Sequence, residues 1–109
     1  MAESEKDRLA HAVVERHRDF SLALEGDRRS YPTREFRAFA EAIQRYVRAI
    51  QGAELIHRGV VEAVHCLVDY LRVERKKVPN GVLVDAERLE SFLFLGYDPF
   101  FEGEEPPGL

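Results

Sequence analysis

Two Glu-x-x-His pairs lie close together in the middle of the chain, Glu54 with His57 and Glu62 with His65. On a helix this spacing places a carboxylate and an imidazole one turn apart, as in the carboxylate-bridged di-metal sites of four-helix bundles. Both groups are ordinary ligands of zinc, iron or manganese. The spacing therefore suggests a divalent-metal site in a helical bundle.

The two pairs differ in the direction in which their side chains would point. Successive helical residues are turned by about 100°, so His57 falls within the apolar stripe of this segment and Glu54 lies on its flank. Glu62 and His65 fall away from that stripe. We therefore expect the side chains of the first pair to point towards the core and those of the second pair to be solvated or interfacial.

One such pair supplies two ligands, whereas a stable site needs three or four. His17 is the next metal candidate after Glu54 and His57. It lies at the edge of the apolar stripe of the first predicted helix, which is described below. It would approach His57 in an antiparallel hairpin, while a two-fold dimer would instead double Glu54 and His57. The simpler interpretation, which we favour, makes His57 a hydrogen-bonded core residue or one that sets the register of helix pairing.

Composition limits the class of protein. With 109 residues, 45% hydrophobic and 33% charged, the chain has room for one compact, helix-rich domain. A net charge of -4 argues against nucleic-acid binding. The single cysteine, Cys66, excludes an intramolecular disulfide and a multi-cysteine zinc site. The charged N-terminus is unlike a signal peptide, and no apolar run reaches the ~18 residues of a membrane helix, so we expect a cytoplasmic protein.

Apolar spacing predicts an all-α fold, a helical hairpin whose second helix is long. The first helix is expected from about Ser4 to Leu24, with Leu9, Val13, Phe20 and Leu24 as its apolar positions. In the second, one row recurs every seven residues: Phe36, Ile43, Ile50, His57, Val64 and Leu71. A second row comprises Phe39, Tyr46, Ala53, Val60 and Leu67. These heptads predict bundle-type packing, although Gly52 and Gly59 each cost about 1 kcal/mol relative to Ala. Two shorter helices therefore remain an open alternative.

A short third helix is predicted between a capping Asp85 and a terminating Gly96, with Leu89, Phe92 and Leu93 on its apolar face. The residues after it lack periodicity and are aromatic, then acidic and rich in Pro and Gly. We therefore expect a single all-α domain over 1–96 and an extended C-terminal tail over 97–109.

The long predicted helix is also apolar on a second side. This second row comprises Leu55, Gly59, Cys66, Tyr70 and Val73. A helix that is apolar on opposite sides is either surrounded by its own domain or buried in an oligomer. We expect a homodimer in which the long helices pair; the alternative is that the third helix and the tail cover this row. Tyr97, Phe100 and Phe101 complete the predicted interface, either closing the end of the bundle or docking on a neighbouring subunit or partner protein.

Enzymatic motifs are missing from the sequence. There is no glycine-rich phosphate loop, and no Ser or Cys lies in a recognisable catalytic arrangement. We expect a non-catalytic protein-protein interaction or assembly module whose partners are a second copy or another protein, and neither nucleic acid nor a membrane. The alternative is a ferritin-like metal-binding bundle that uses Glu54, His57 and His17. A weaker alternative is a nucleic-acid-associated factor that uses Arg28, Arg29 and the basic residues of 72–77.

Overall fold

The computed structural model describes residues 4–25, 32–53, 55–74 and 81–96. They form four α-helices: α1 (Glu5–Glu25), α2 (Thr33–Ala49), α3 (Arg58–Val73) and α4 (Val82–Leu95). No β-strand occurs within these described ranges, so the predicted all-α class is confirmed. None of the helices in the described part of the chain is both long and apolar enough to cross a membrane.

The four helices form a bundle in which α1 and α4 each pack against both α2 and α3. The pairs α1–α4 and α2–α3 share few contacts, so they lie on the diagonals of the bundle. The connection from α2 to α3 therefore crosses the end of the bundle diagonally and does not turn back beside α2.

Contacts near the helix ends give the directions of the first three helices. The rings of Phe20 and Phe36 lie 5.6 Å apart, which brings the C-terminal half of α1 to the start of α2. These two helices are therefore antiparallel. The rings of His11 and His57 lie 5.8 Å apart, near the starts of α1 and α3. α1 and α3 therefore run parallel.

The core is apolar and receives side chains from all four helices. Its largest fully buried members are Phe20, Phe39, Ile43, Leu71 and Leu89. The apolar positions predicted for the first and third helices are buried as well, except Leu9, which is partly buried: Val13, Phe20, Leu24, Leu89, Phe92 and Leu93. Amphipathic periodicity therefore identified the buried faces of α1 and α4 correctly.

The prediction of one long second helix was wrong, and the alternative of two shorter helices is correct. α2 ends at Ala49 and α3 begins at Arg58. Gly52, between them, has a φ of 81°, a left-handed conformation that interrupts a helix and that glycine adopts without a Cβ clash. Ala53 is exposed and His57 only half-buried, because both lie in the connection and not on a continuous apolar stripe.

α4 corresponds to the predicted third helix, with a different start. Its N-cap is Gly81, at a φ of 91°, and not Asp85, which lies in the first turn. Gly96, at a φ of 80°, ends the helix as predicted. Gln51 Nε2 donates a 3.0 Å hydrogen bond to the Gly96 carbonyl, so α4 ends beside the C-terminal end of α2. α2 and α4 therefore run parallel.

Candidate functional site

His57 lies where the crossing connection meets α3 and acts as the N-cap of that helix. Its φ of -59° and ψ of 129° are non-helical, and its Nδ1 accepts a 3.0 Å hydrogen bond from the Gly59 N–H. Ser, Thr, Asp or Asn usually fills this role. In this arrangement Nδ1 is the acceptor nitrogen of the ring, and Nε2 is the donor nitrogen.

Three other residues position His57. Its backbone N–H donates a 2.8 Å hydrogen bond to Tyr46 Oη, and the His11 ring lies perpendicular to its own ring. A Cβ on Gly59 would lie 3.1 Å from His57 Cε1 and 3.2 Å from Val14 Cγ2. Glycine at position 59 thus lets the capping ring fit against α1. Neither His11 nor Tyr46 was among the predicted site residues, because both partners depend on how α1, α2 and α3 pack together.

Of the predicted metal ligands, the structure describes His17 and His57 and places them against different residues. His17 lies against Phe39, with ring centroids 5.9 Å apart, whereas His57 lies against His11. Glu54 falls outside the described residues. Within the described ranges, no three His, Cys, Asp or Glu side chains are grouped so that they could hold a metal ion. Because Nδ1 of His57 accepts the capping hydrogen bond, the other ring nitrogen is an N–H donor, and the capping ring has no lone pair left for a metal ion.

Glu62 and His65, the second Glu-x-x-His pair, are both exposed on α3. The expectation of a solvated or interfacial pair agrees with this placement. Neither residue lies on the buried side of the helix, which is formed by Val60, Val64 and Leu67 among others.

A groove of about 190 Å³ between α1 and α3 brings together residues that the sequence assigned to different roles. It is lined by His17, Phe20, Ser21, Leu24, Cys66, Leu67 and Tyr70. Burial lowers the pKa of His17 below its ordinary value of 6.5, because desolvation disfavours the charged imidazolium. At neutral pH the groove therefore has an uncharged lining.

Beside this groove, apolar residues recur along one side of α3. This α3 row comprises Gly59, Cys66, Tyr70 and Val73. Cys66 is exposed, Tyr70 is 41% exposed and Val73 is 74% exposed. α4 therefore does not cover the row. Leu55 is 85% exposed, but it belongs to the connection and not to α3.

The three aromatic residues that completed the predicted interface, Tyr97, Phe100 and Phe101, fall outside the described residues. Of the predicted interface residues that the structure does describe, only those of the α3 row share one helix face. The α3 row and the adjoining groove thus form one continuous candidate surface.

A second surface was not identified from the sequence. α2 carries exposed arginines on the side opposite its buried face: Arg34, Arg37, Arg45 and Arg48. Their spacing of three, eight and three residues keeps them within one solvent-facing stripe, which we call the α2 arginine row. The spacing of these arginines can be read from the sequence, but the negative net charge of the whole chain gives no indication of a cationic surface.

The α3 row with its groove and the α2 arginine row are therefore two candidate surfaces among the described residues. One is apolar and the other is cationic, so they suit different partners. The chain matches no protein family model, no curated protein and no solved structure.

Proposed function

We propose that this protein is a non-catalytic protein-protein interaction module that assembles as a homodimer through the α3 row. The observation that supports the proposal is the exposure of Tyr70 and Val73 on a helix most of whose other large apolar residues are buried. When a second surface removes exposed apolar groups on one helix face from water, the free energy of the system falls.

A two-fold axis at Cys66 places the two ends of the α3 row opposite each other, and it places Tyr70 opposite Glu62 of the second copy. When α3 pairs with an antiparallel copy of itself, residues at equal distances on either side of the axis face each other. Val73 then faces Gly59 of the second copy, seven residues from the axis in each case. The space beside Gly59 is filled by the His57 ring and the Val14 side chain, so the exposed valine would pack against these two groups.

The groove between α1 and α3 enlarges this surface. A stable interface buries about 800 Å² on each partner, which is more than a single row of four residues supplies. The groove adds Ser21 and Leu24 of α1, together with the neutral ring of His17. Because the pKa of His17 is lowered, covering the groove does not require burial of a charge at neutral pH.

The mass in solution, measured by light scattering, tests the proposal. The chain has a mass of 12.6 kDa, so the expected mass is twice that value. Tyr70→Glu and Val73→Glu place a charge in the contact and are expected to yield the monomer. Leu22→Glu is the matched control, because Leu22 is 59% exposed on α1 and is turned by about 100° or more from the groove residues Ser21 and Leu24. A monomeric mass for the unmodified protein contradicts the proposal.

Cross-linking through Cys66 tests the position of the axis separately. If Cys66 lies at the axis, a short bismaleimide should join the two copies of the unmodified protein. In a Cys66→Ser/Glu41→Cys variant the thiol lies on the exposed side of α2, and no covalent dimer is expected. A dimeric mass without cross-linking at Cys66 would place the interface elsewhere.

A further inference from the structure

The α2 arginine row makes α2 cationic within an acidic chain. The helix carries four arginines and two glutamates, Glu35 and Glu41, so its net charge is 4 - 2 = +2. The whole chain has a net charge of -4. The charges of this protein are thus separated by sign, and α2 presents its positive charges to solvent.

Acidic residues are most concentrated directly after α4. Residues 97–109, which fall outside the described ranges, include Asp98, Glu102, Glu104 and Glu105 and contain no Lys or Arg. Arginine binds carboxylates through two parallel N–H donors, so this segment and the α2 arginine row have matching chemistry.

The acidic segment begins at one end of the α2 arginine row. Gly96, the residue before it, accepts a hydrogen bond from Gln51, which lies three residues beyond Arg48. The row extends about 21 Å from Arg48 to Arg34, at a rise of about 1.5 Å per residue. Glu105 is nine residues beyond Gly96, and nine extended residues span up to ~30 Å. The segment can therefore reach every arginine of the row.

We propose that the α2 arginine row binds the acidic segment 97–109 of the same chain. Exposed ion pairs are individually weak, but covalent attachment next to Arg48 keeps the local concentration of the segment high. Binding in this manner shields the arginines from other anions, such as nucleic-acid phosphates. The proposal does not depend on the dimer, because the α2 arginine row and the α3 row lie on different helices.

Paramagnetic relaxation measured by NMR on the full chain tests the proposal. A nitroxide is attached to Gly108→Cys in a Cys66→Ser background, and amide peak intensities are compared before and after its reduction. We expect at least a twofold loss of intensity for α2 amides between Arg37 and Arg45. About 1 M salt, where the screening length falls to ~3 Å, should restore the intensities.

Charge variants identify the binding surface. Arg37→Gln/Arg45→Gln is expected to restore the α2 intensities. Arg18→Gln/Arg58→Gln removes two exposed arginines of α1 and α3 and is expected to leave the effect unchanged. All four positions are exposed, so neither variant removes a core contact.

A mixture of isotope-labelled protein without nitroxide and unlabelled protein with nitroxide separates binding within a chain from binding between chains. We expect no loss of intensity in the mixture. Loss of α2 intensity in the mixture would overturn the proposal in favour of binding to a second copy. The proposal is also overturned if α2 shows no loss, or if the loss falls on another helix.

Discussion

The backbone N–H of His57 donates a 2.8 Å hydrogen bond to the phenolic oxygen of Tyr46. Tyr46 belongs to the last turn of α2 and His57 is the N-cap of α3, so this bond joins the two ends of the connection that crosses the bundle. The ring of His57 then caps α3 through its contact with Gly59. This pair of residues therefore positions α3, on which the proposed interface lies.

Tyr46→Phe is expected to lower the free energy of unfolding by about 1–2 kcal/mol, because it leaves the part-buried N–H of His57 without its acceptor. Urea denaturation measures this change. Tyr70→Phe removes a hydroxyl group from an exposed tyrosine and should change stability little. Equal effects of the two substitutions would show that the Tyr46 hydroxyl has no special role.

His57→Ala is expected to cost about 1 kcal/mol of stability, the usual effect of losing an N-cap. His57→Asn should retain most of that stability, because asparagine also accepts a hydrogen bond from the start of a helix. Comparing the two by urea denaturation separates capping from ring packing against His11. If both variants lose the same amount, capping is not the stabilising role of His57.

Gly52→Ala is expected to destabilise the protein by about 1 kcal/mol or more, because an alanine at a φ of 81° has its Cβ close to the following carbonyl oxygen. A Cβ at this position meets no atom within 4 Å, so the cost is conformational and not a clash with a neighbour. Gly52→Asn should cost less, since asparagine tolerates this conformation better. Helix content by circular dichroism should stay constant, whereas an increase would mean that α2 and α3 had merged.

The lowered pKa of His17 predicts that the stability of the protein depends on pH. Its folded-state pKa lies below 6.5, so the folded state binds fewer protons than the unfolded state as the pH falls. The stabilising contribution of neutral His17 is complete when the pH is above the pKa of His17 in the unfolded state. It is lost as the pH falls through the pKa of His17 in the folded state. We expect the free energy of unfolding, measured by urea denaturation, to decrease towards about pH 5, and His17→Gln to lack part of that decrease.

His65→Gln is the control for this measurement, because His65 is exposed on α3. That variant should keep the pH dependence of the unmodified protein. If His17→Gln and the unmodified protein show the same decrease, burial of His17 does not contribute to it.

Much of the fold followed from local patterns. Apolar spacing located α1 and the buried residues of α4, and Gly96 ends α4 because glycine adopts the left-handed conformation that a helix terminus often requires. Asp85 was wrongly predicted as the cap of that helix. Gly81 takes the position, with no side-chain hydrogen bond.

The break between α2 and α3 was not decided by local patterns. The seven-residue rows continue from Ile43 to Val64 because both helices turn their apolar faces to the same core, so the periodicity persists across the connection. The cost of about 1 kcal/mol for a glycine inside a helix is small compared with the free energy that burial of the apolar side of a whole helix contributes. The sequence therefore left one long helix and two shorter ones as competing outcomes.

By itself, the sequence determined the helical class and most of the buried positions within the helices, because these depend on spacings of three, four and seven residues; Ala53, Leu55 and His57, which the same spacings placed on a helix, lie in the connection. Only the tertiary structure decided that His57 caps α3 beside His11 and Tyr46, and that His17 lies in a separate groove with Cys66 and Tyr70. The physical reason is that these contacts join different helices. Their formation depends on a connection that crosses the bundle diagonally, and residue spacing within a helix carries no information about that path.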